Sequence, residues 1–116
     1  MVLLPMAAAA AALISAVPVP QSSFVLSVQT DSIRTARLHC EPAGGDHANA
    51  AEACGALSEV DGRIEDLATE TAVCTFQYAP VRVTATGTWR GRERTFTSEY
   101  ANSCLLRAST GPVFAF

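Results

Sequence analysis

Hydrophobic and polar positions alternate with the period of a β-strand in several stretches of the chain. Residues 23–28 (SFVLSV) read as one strand. Residues 35–40 read as a second, with Ala36, Leu38 and Cys40 on one face. Val81, Val83 and Ala85 point one way and Arg82 and Thr84 the other, which predicts a third. Phe96, Ser98 and Tyr100 share one face of a fourth, over 94–100. Residues 88–92, with Trp89 and Gly91, read as the turn that joins these last two into an antiparallel hairpin. Between the two strand pairs the period changes. Residues 50–60 read as a helix, with Leu57 and Val60 facing the core near Cys54 and Gly62 ending it. Residues 64–68 are read as a short second helix. Pro42, Gly44 and Gly45 make 41–49 a loop. Residues 69–80 show no convincing periodicity and are assigned to a surface loop. Residues 113–116 (VFAF) are read as a last strand or a tucked tail. The sum is an α+β domain, a sheet of about five strands with one or two helices on one face.

Composition narrows this picture. At 116 residues the chain is expected to hold one domain. Residues 1–16 (MVLLPMAAAAAALISA) are apolar, Ala-rich and uncharged. That run is shorter than the ~20 residues of a membrane span. It reads as a secretory signal peptide with Ile14-Ser15-Ala16 as the cleavage site, although no Lys or Arg precedes the apolar core. The expectation is a secreted, extracellular protein with no membrane contact in its mature form, residues 17–116. The net charge of −3 argues against nucleic acid, whose footprint is a basic patch.

Four cysteines, Cys40, Cys54, Cys74 and Cys104, then change the picture most. An even number in a short exported chain implies disulfides, and three pairings are open. Cys40–Cys54 and Cys74–Cys104 are favoured because both close local loops. On the chain-entropy account each would contribute about 3–4 kcal/mol. No two cysteines have CxxC spacing, and His39 and His47 complete no zinc pattern, so neither metal nor cofactor is expected.

The segment Cys74-Thr75-Phe76-Gln77-Tyr78-Ala79-Pro80 carries the candidate chemistry. It sets the bulky apolar Phe76 between an expected disulfide and a proline. An exposed, pre-shaped segment of this kind is bait for a serine protease. The plain alternative is that Phe76 is a core aromatic, as most phenylalanines are. Trp89 reads as structural, His47 beside Asp46 as a loop histidine rather than a general base, and Arg90, Arg92 and Arg94 as a solvated hairpin face. No G-x-S-x-G or similar nucleophile motif is present, so an enzyme is not expected.

These residues taken in order resemble the Streptomyces subtilisin inhibitor family of secreted serine protease inhibitors. The likeness rests on Phe24-Val25-Leu26-Ser27-Val28, the Cys40/Cys54 spacing with His47 between, and Gly87-Thr88-Trp89-Arg90-Gly91. Asn102-Ser103-Cys104 and the closing Val113-Phe114-Ala115-Phe116 complete it. The resemblance implies a five-stranded antiparallel sheet with helices on one side and the local disulfide pairing. It also implies a homodimer formed through the sheets and a subtilisin-like protease as partner, with chymotrypsin-like enzymes as a further class. The family's reactive bond carries over to Phe76–Gln77, making Phe76 the P1 residue and Gln77 the P1′ residue. Val73, Cys74, Thr75, Phe76, Gln77 and Tyr78 would contact the protease, and Asn102 would support the loop from beneath. Thr75 stands where the family commonly has Pro, and Ala79 where it commonly has an acidic residue. The rival reading is a secreted binding module that keeps the scaffold and has lost inhibition.

Overall fold

The computed structural model describes residues 2–6, 18–71 and 73–116. The expected signal peptide therefore lies outside the described residues, apart from 2–6. The sheet has the order β3-β2-β1-β4-β5, with every neighbouring pair antiparallel. Its strands are β1 (Ser22–Gln29), β2 (Ile33–Cys40), β3 (Gly44–Gly45), β4 (Val81–Trp89) and β5 (Arg92–Tyr100). Two helices, α1 (Ala50–Glu59) and α2 (Ser103–Thr110), cover one face, together with a single 3-10 turn at Ile64–Asp66.

Alternation explains the sheet. Along β1, Ser22, Phe24, Leu26 and Val28 are buried while their neighbours face out. Leu26 sits opposite Ala36 on β2 and Ala85 on β4, and Ala85 sits opposite Phe96 on β5, so one apolar row crosses four strands. Ala53 and Leu57 of α1, Ile64, Leu106 of α2, and Val113 and Phe114 pack onto this face. The disulfide Cys40–Cys54 joins the end of β2 to α1, and Cys74–Cys104 joins the 69–80 loop to α2.

Four expectations need correction. The hairpin turn is two residues long, not five. Arg90 and Gly91 take φ of 46° and 83°, the left-handed pair that matches the twist of a tight hairpin. Thr88 and Trp89 belong to β4, and Trp89 is fully buried against Phe24. Gly87 interrupts the apolar alternation and hides that continuation. Second, of the two readings of residues 113–116 the tucked tail holds and the strand does not. The fifth strand is instead β3, two glycines from the segment read as a loop, paired with Leu38 and His39. Third, the short helix over 64–68 is only the 3-10 turn, and Val60, the residue after α1, is half-buried and outside the core cluster. Fourth, α2 was not foreseen. Its signals are Asn102 as N-cap, Gly111 at its end and Pro112 beyond.

The tail is held by polar clasps. His47 is buried; its Nδ1 accepts from the Asn49 amide at 2.9 Å, so Nε2 carries the hydrogen and donates to the Val113 carbonyl at 2.8 Å. Both ring nitrogens are thereby committed to the fold. Asn49 Nδ2 donates to Ala115 O at 2.7 Å, and Arg34 Nη1 to Phe116 O at 2.9 Å.

Gly62 closes α1 with φ of 74°, and its amide donates to Leu57 O at 2.9 Å. A Cβ placed there would lie 2.5 Å from Trp89 Cβ. Gly62→Ala should therefore cost about 2–4 kcal/mol, from left-handed strain plus overpacking. Urea unfolding should show a lower midpoint at unchanged slope; an unchanged midpoint would contradict this packing.

Candidate functional site

Among the described residues, those of the 69–80 loop form a long irregular segment that is tied down at several points. Pro80 leads straight into β4, while Ala101 and Asn102 carry β5 into α2. These junctions bring the loop beside α2. Working along it, the Glu70 amide donates to Ala108 O at 2.8 Å. Cys74 is bonded to Cys104 in the first turn of α2. The Ala79 amide donates to Ala101 O at 2.8 Å.

Asn102 occupies the centre of this arrangement. It is 7% exposed. Its Oδ1 accepts from the Leu105 amide at 3.0 Å and so caps α2. Its Nδ2 donates to Thr75 O at 3.2 Å and to Gln77 O at 2.9 Å. One amide group thus fills an orphan need of the helix and fixes two loop carbonyls. A direct grip on the Thr75 carbonyl constrains the backbone where a proline would have limited only φ.

Phe76 lies between those two carbonyls, and its side chain touches nothing. It is 104% exposed. Val73 is equally bare and Tyr78 largely so, while Cys74 is half-buried under its disulfide. Thr75 and Gln77 are exposed as side chains although their carbonyls are held. A phenylalanine presented to water on a fixed backbone is the reverse of a core aromatic; Phe24 and Phe114 fill that role. Residues 73–80 carry no charged side chain, so the loop offers shape and apolar surface rather than a field. The hairpin arginines lie elsewhere and are partly engaged. Arg90 pairs with Glu41, whose hydrogen bond raises its pKa above the ordinary guanidinium value, and Arg94 pairs with Asp61. Among the described residues no cluster of three His, Cys, Asp or Glu side chains is placed to hold a metal.

Residues 16–102 match the subtilisin inhibitor-like family. The chain belongs to that family. It is 44% identical over 90 residues to the subtilase-type protease inhibitor of Streptomyces fradiae. That match covers 72% of this chain and 61% of the relative, so the chain spans about three fifths of the relative's length. It is 36% identical over 104 residues to protease inhibitor SIL-V2 of Streptomyces orinoci, covering 82% of this chain and 95% of that one. Among solved structures it is similar to Streptomyces caespitosus sermetstatin, crystallised in complex with Bacillus licheniformis subtilisin. There the TM-score is 0.66 at 30% identity, over 82% of this chain and 98% of the other. The subtilisin inhibitor-like fold and its two disulfides are therefore those expected from the sequence. Sequence reasoning missed α2, the element that carries both Asn102 as its cap and Cys104 in its first turn.

Proposed function

We propose that this chain is a secreted, substrate-like inhibitor of subtilisin-like serine proteases, with Phe76–Gln77 as its reactive bond. The observation that carries the proposal is the pairing of a fully exposed Phe76 with an Asn102 amide that grips the carbonyls on both sides of it.

A protease binds its substrate as an extended strand and reads alternate side chains in pockets. Here Cys74 serves as P3, Thr75 as P2, Phe76 as P1 and Gln77 as P1′, with Val73 and Tyr78 flanking them. The fold has already ordered this segment, so less of the contact energy is lost on binding. Phe76 fills the S1 pocket as the anchor residue. An apolar S1 pocket suits it, as in subtilisin- and chymotrypsin-like enzymes. A trypsin-like pocket would leave its carboxylate unpaired.

The brake on turnover is geometric. Thr75 O belongs to the acyl half of the scissile bond and Gln77 O to the leaving half. Asn102 holds both, and Cys74–Cys104 ties the acyl half to the body of the protein. After acyl transfer the new amine of Gln77 stays beside the ester. Religation is intramolecular, at an effective molarity of about 10⁵ M or more, and outruns hydrolysis.

Titration of the oxidised protein against subtilisin tests the proposal, with trypsin and Phe76→Ala in parallel. One-to-one inhibition of subtilisin, little effect on trypsin, and a loss of at least about 100-fold with Phe76→Ala are expected. Absence of inhibition with an intact loop would favour the binding-module reading.

The same proposal includes removal of residues 1–16 on export, leaving 17–116 as the inhibitor domain, and a homodimer through the open sheet face. On that face Arg37 stands on β2, while Glu93 and Glu99 stand on β5. A two-fold axis along the strands would lay β2 of one copy over β5 of the other, with Arg37 level with Thr95 and diagonal to Glu93, two residues along. Light scattering should give twice the monomer mass, falling toward the monomer with Arg37→Glu; a monomeric parent protein removes the dimer from the proposal.

A further inference from the structure

The reactive loop is too small to be a whole protein contact. A stable complex typically engages about 20–30 residues a side, and residues 73–80 supply eight. Charge is missing from the surface beside them as well. Residues 101–106, which carry β5 into the first turn of α2, hold no charged side chain, and neither do residues 73–80. Cys74–Cys104 and Asn102 tie the two stretches together. The nearest charges along the chain, Glu70, Arg82, Glu99 and Arg107, are all exposed and join none of the ion pairs among the described residues. An uncharged centre inside a charged rim is the anatomy of a protein interface.

Large apolar side chains gather on the same surface. Among the described residues of 18–116, seven are exposed, and Val73, Phe76, Tyr78 and Leu105 belong to these two stretches. Leu105 is the one of the four that is not on the loop. Leu106 beside it is 7% exposed and joins the core, whereas Leu105 is 39% exposed. The Cα atoms of Cys74 and Cys104 are 5.7 Å apart, so Val73 and Leu105, one residue from each, lie within about 13 Å of one another. A lone exposed leucine is ordinary. This one borders a bare valine across a disulfide, on a surface that already presents Phe76.

We infer that Leu105 is a second apolar anchor for the protease, packed against the enzyme wall on the acyl side of the scissile bond. It sets affinity without entering S1. The inference rests on the proposed inhibitor function, and continuity with Phe76 fixes the partner as the enzyme whose S1 pocket Phe76 fills.

The test compares inhibition constants and binding rates for subtilisin among the parent, Leu105→Gln, Leu105→Asp and Ile33→Gln. Gln matches the helix propensity of Leu, and Asp in the first turn suits the positive end of α2, so melting midpoints should stay close to that of the parent. Leu105→Gln should weaken inhibition about three- to tenfold, the worth of burying the exposed part of one leucine. Leu105→Asp should weaken it at least about thirtyfold, by placing an unpaired charge in the covered centre. Both losses should appear in the dissociation rate. Ile33→Gln, which changes an apolar residue of β2 that is 63% exposed, should inhibit as the parent does. In methyl NMR of the one-to-one complex the Leu105 signals should shift. Leu105 variants equal to the parent, while Phe76→Ala still loses inhibition, would overturn this inference alone. An unshifted Leu105 methyl, an equal loss in Ile33→Gln, or a loss that only follows a lowered melting midpoint would do the same. A parent protein that fails to inhibit would remove the proposed function and this anchor with it.

Discussion

On the proposed function, Asn102→Asp should turn the protein from an inhibitor into a substrate while leaving its fold intact. The substitution is nearly isosteric. An Asp oxygen can still accept from the Leu105 amide, so α2 keeps its cap, and aspartate is among the preferred capping residues. What disappears is the Nδ2 donor to Thr75 O and Gln77 O. In its place a carboxylate oxygen faces two carbonyl oxygens, and all three are acceptors. Two lost hydrogen bonds with unsatisfied partners amount to about 2–4 kcal/mol, or roughly 30- to 1,000-fold in the inhibition constant. Subtilisin should then cleave after Phe76 and release active enzyme over the course of the assay. The thermal midpoint should fall by only a few degrees. Asn102→Ala is the contrasting variant, because it removes cap and grip together and should lose stability as well. Inhibition by Asn102→Asp equal to that of the parent protein, with no cleavage product by mass spectrometry, would show that the grip plays no part.

The second large effect is a change of target. Phe76→Arg should bring strong inhibition of trypsin, with a gain of at least about 1,000-fold over the parent. The guanidinium then reaches the buried carboxylate at the base of a trypsin-like S1 pocket, which Phe leaves unpaired. The fold should not notice. The Phe76 side chain makes no contact within the protein, so its replacement removes none. Melting curves of the two proteins should superimpose, which separates a change in recognition from a change in stability. Trypsin that remains uninhibited by Phe76→Arg, while the variant stays folded, would mean that residue 76 does not enter S1.

How much of this was legible depends on which physical signal each residue left in the sequence. β1, β2 and the first half of β4 were readable because one buried face forces alternation of period two. Gly87 broke that alternation, so the buried Trp89 was assigned to a turn. β3 could not be read, since two glycines carry no pattern and their pairing with β2 is a property of the folded neighbour. α2 is only eight residues long and has a modest apolar stripe, but its cap and stop residues were present as signals. The loop was legible for the opposite reason. A segment with no periodicity, fixed by a cysteine and a proline and carrying one large apolar residue, has few structural uses. The reach of Asn102 across 25 and 27 positions to the loop carbonyls was suggested only by resemblance. No local spacing encodes a contact that exists because β4 and β5 bring the two segments together.

The separation of bait and grip along the chain has a consequence for biosynthesis. Cys104 follows Cys74 by 30 residues, and Asn102 lies almost as far on. Neither restraint exists until α2 has formed and the second disulfide has closed. On the proposed function, a reduced or incompletely folded chain would therefore offer Phe76–Gln77 to a protease as an ordinary cleavable bond, and only the oxidised, folded chain would resist.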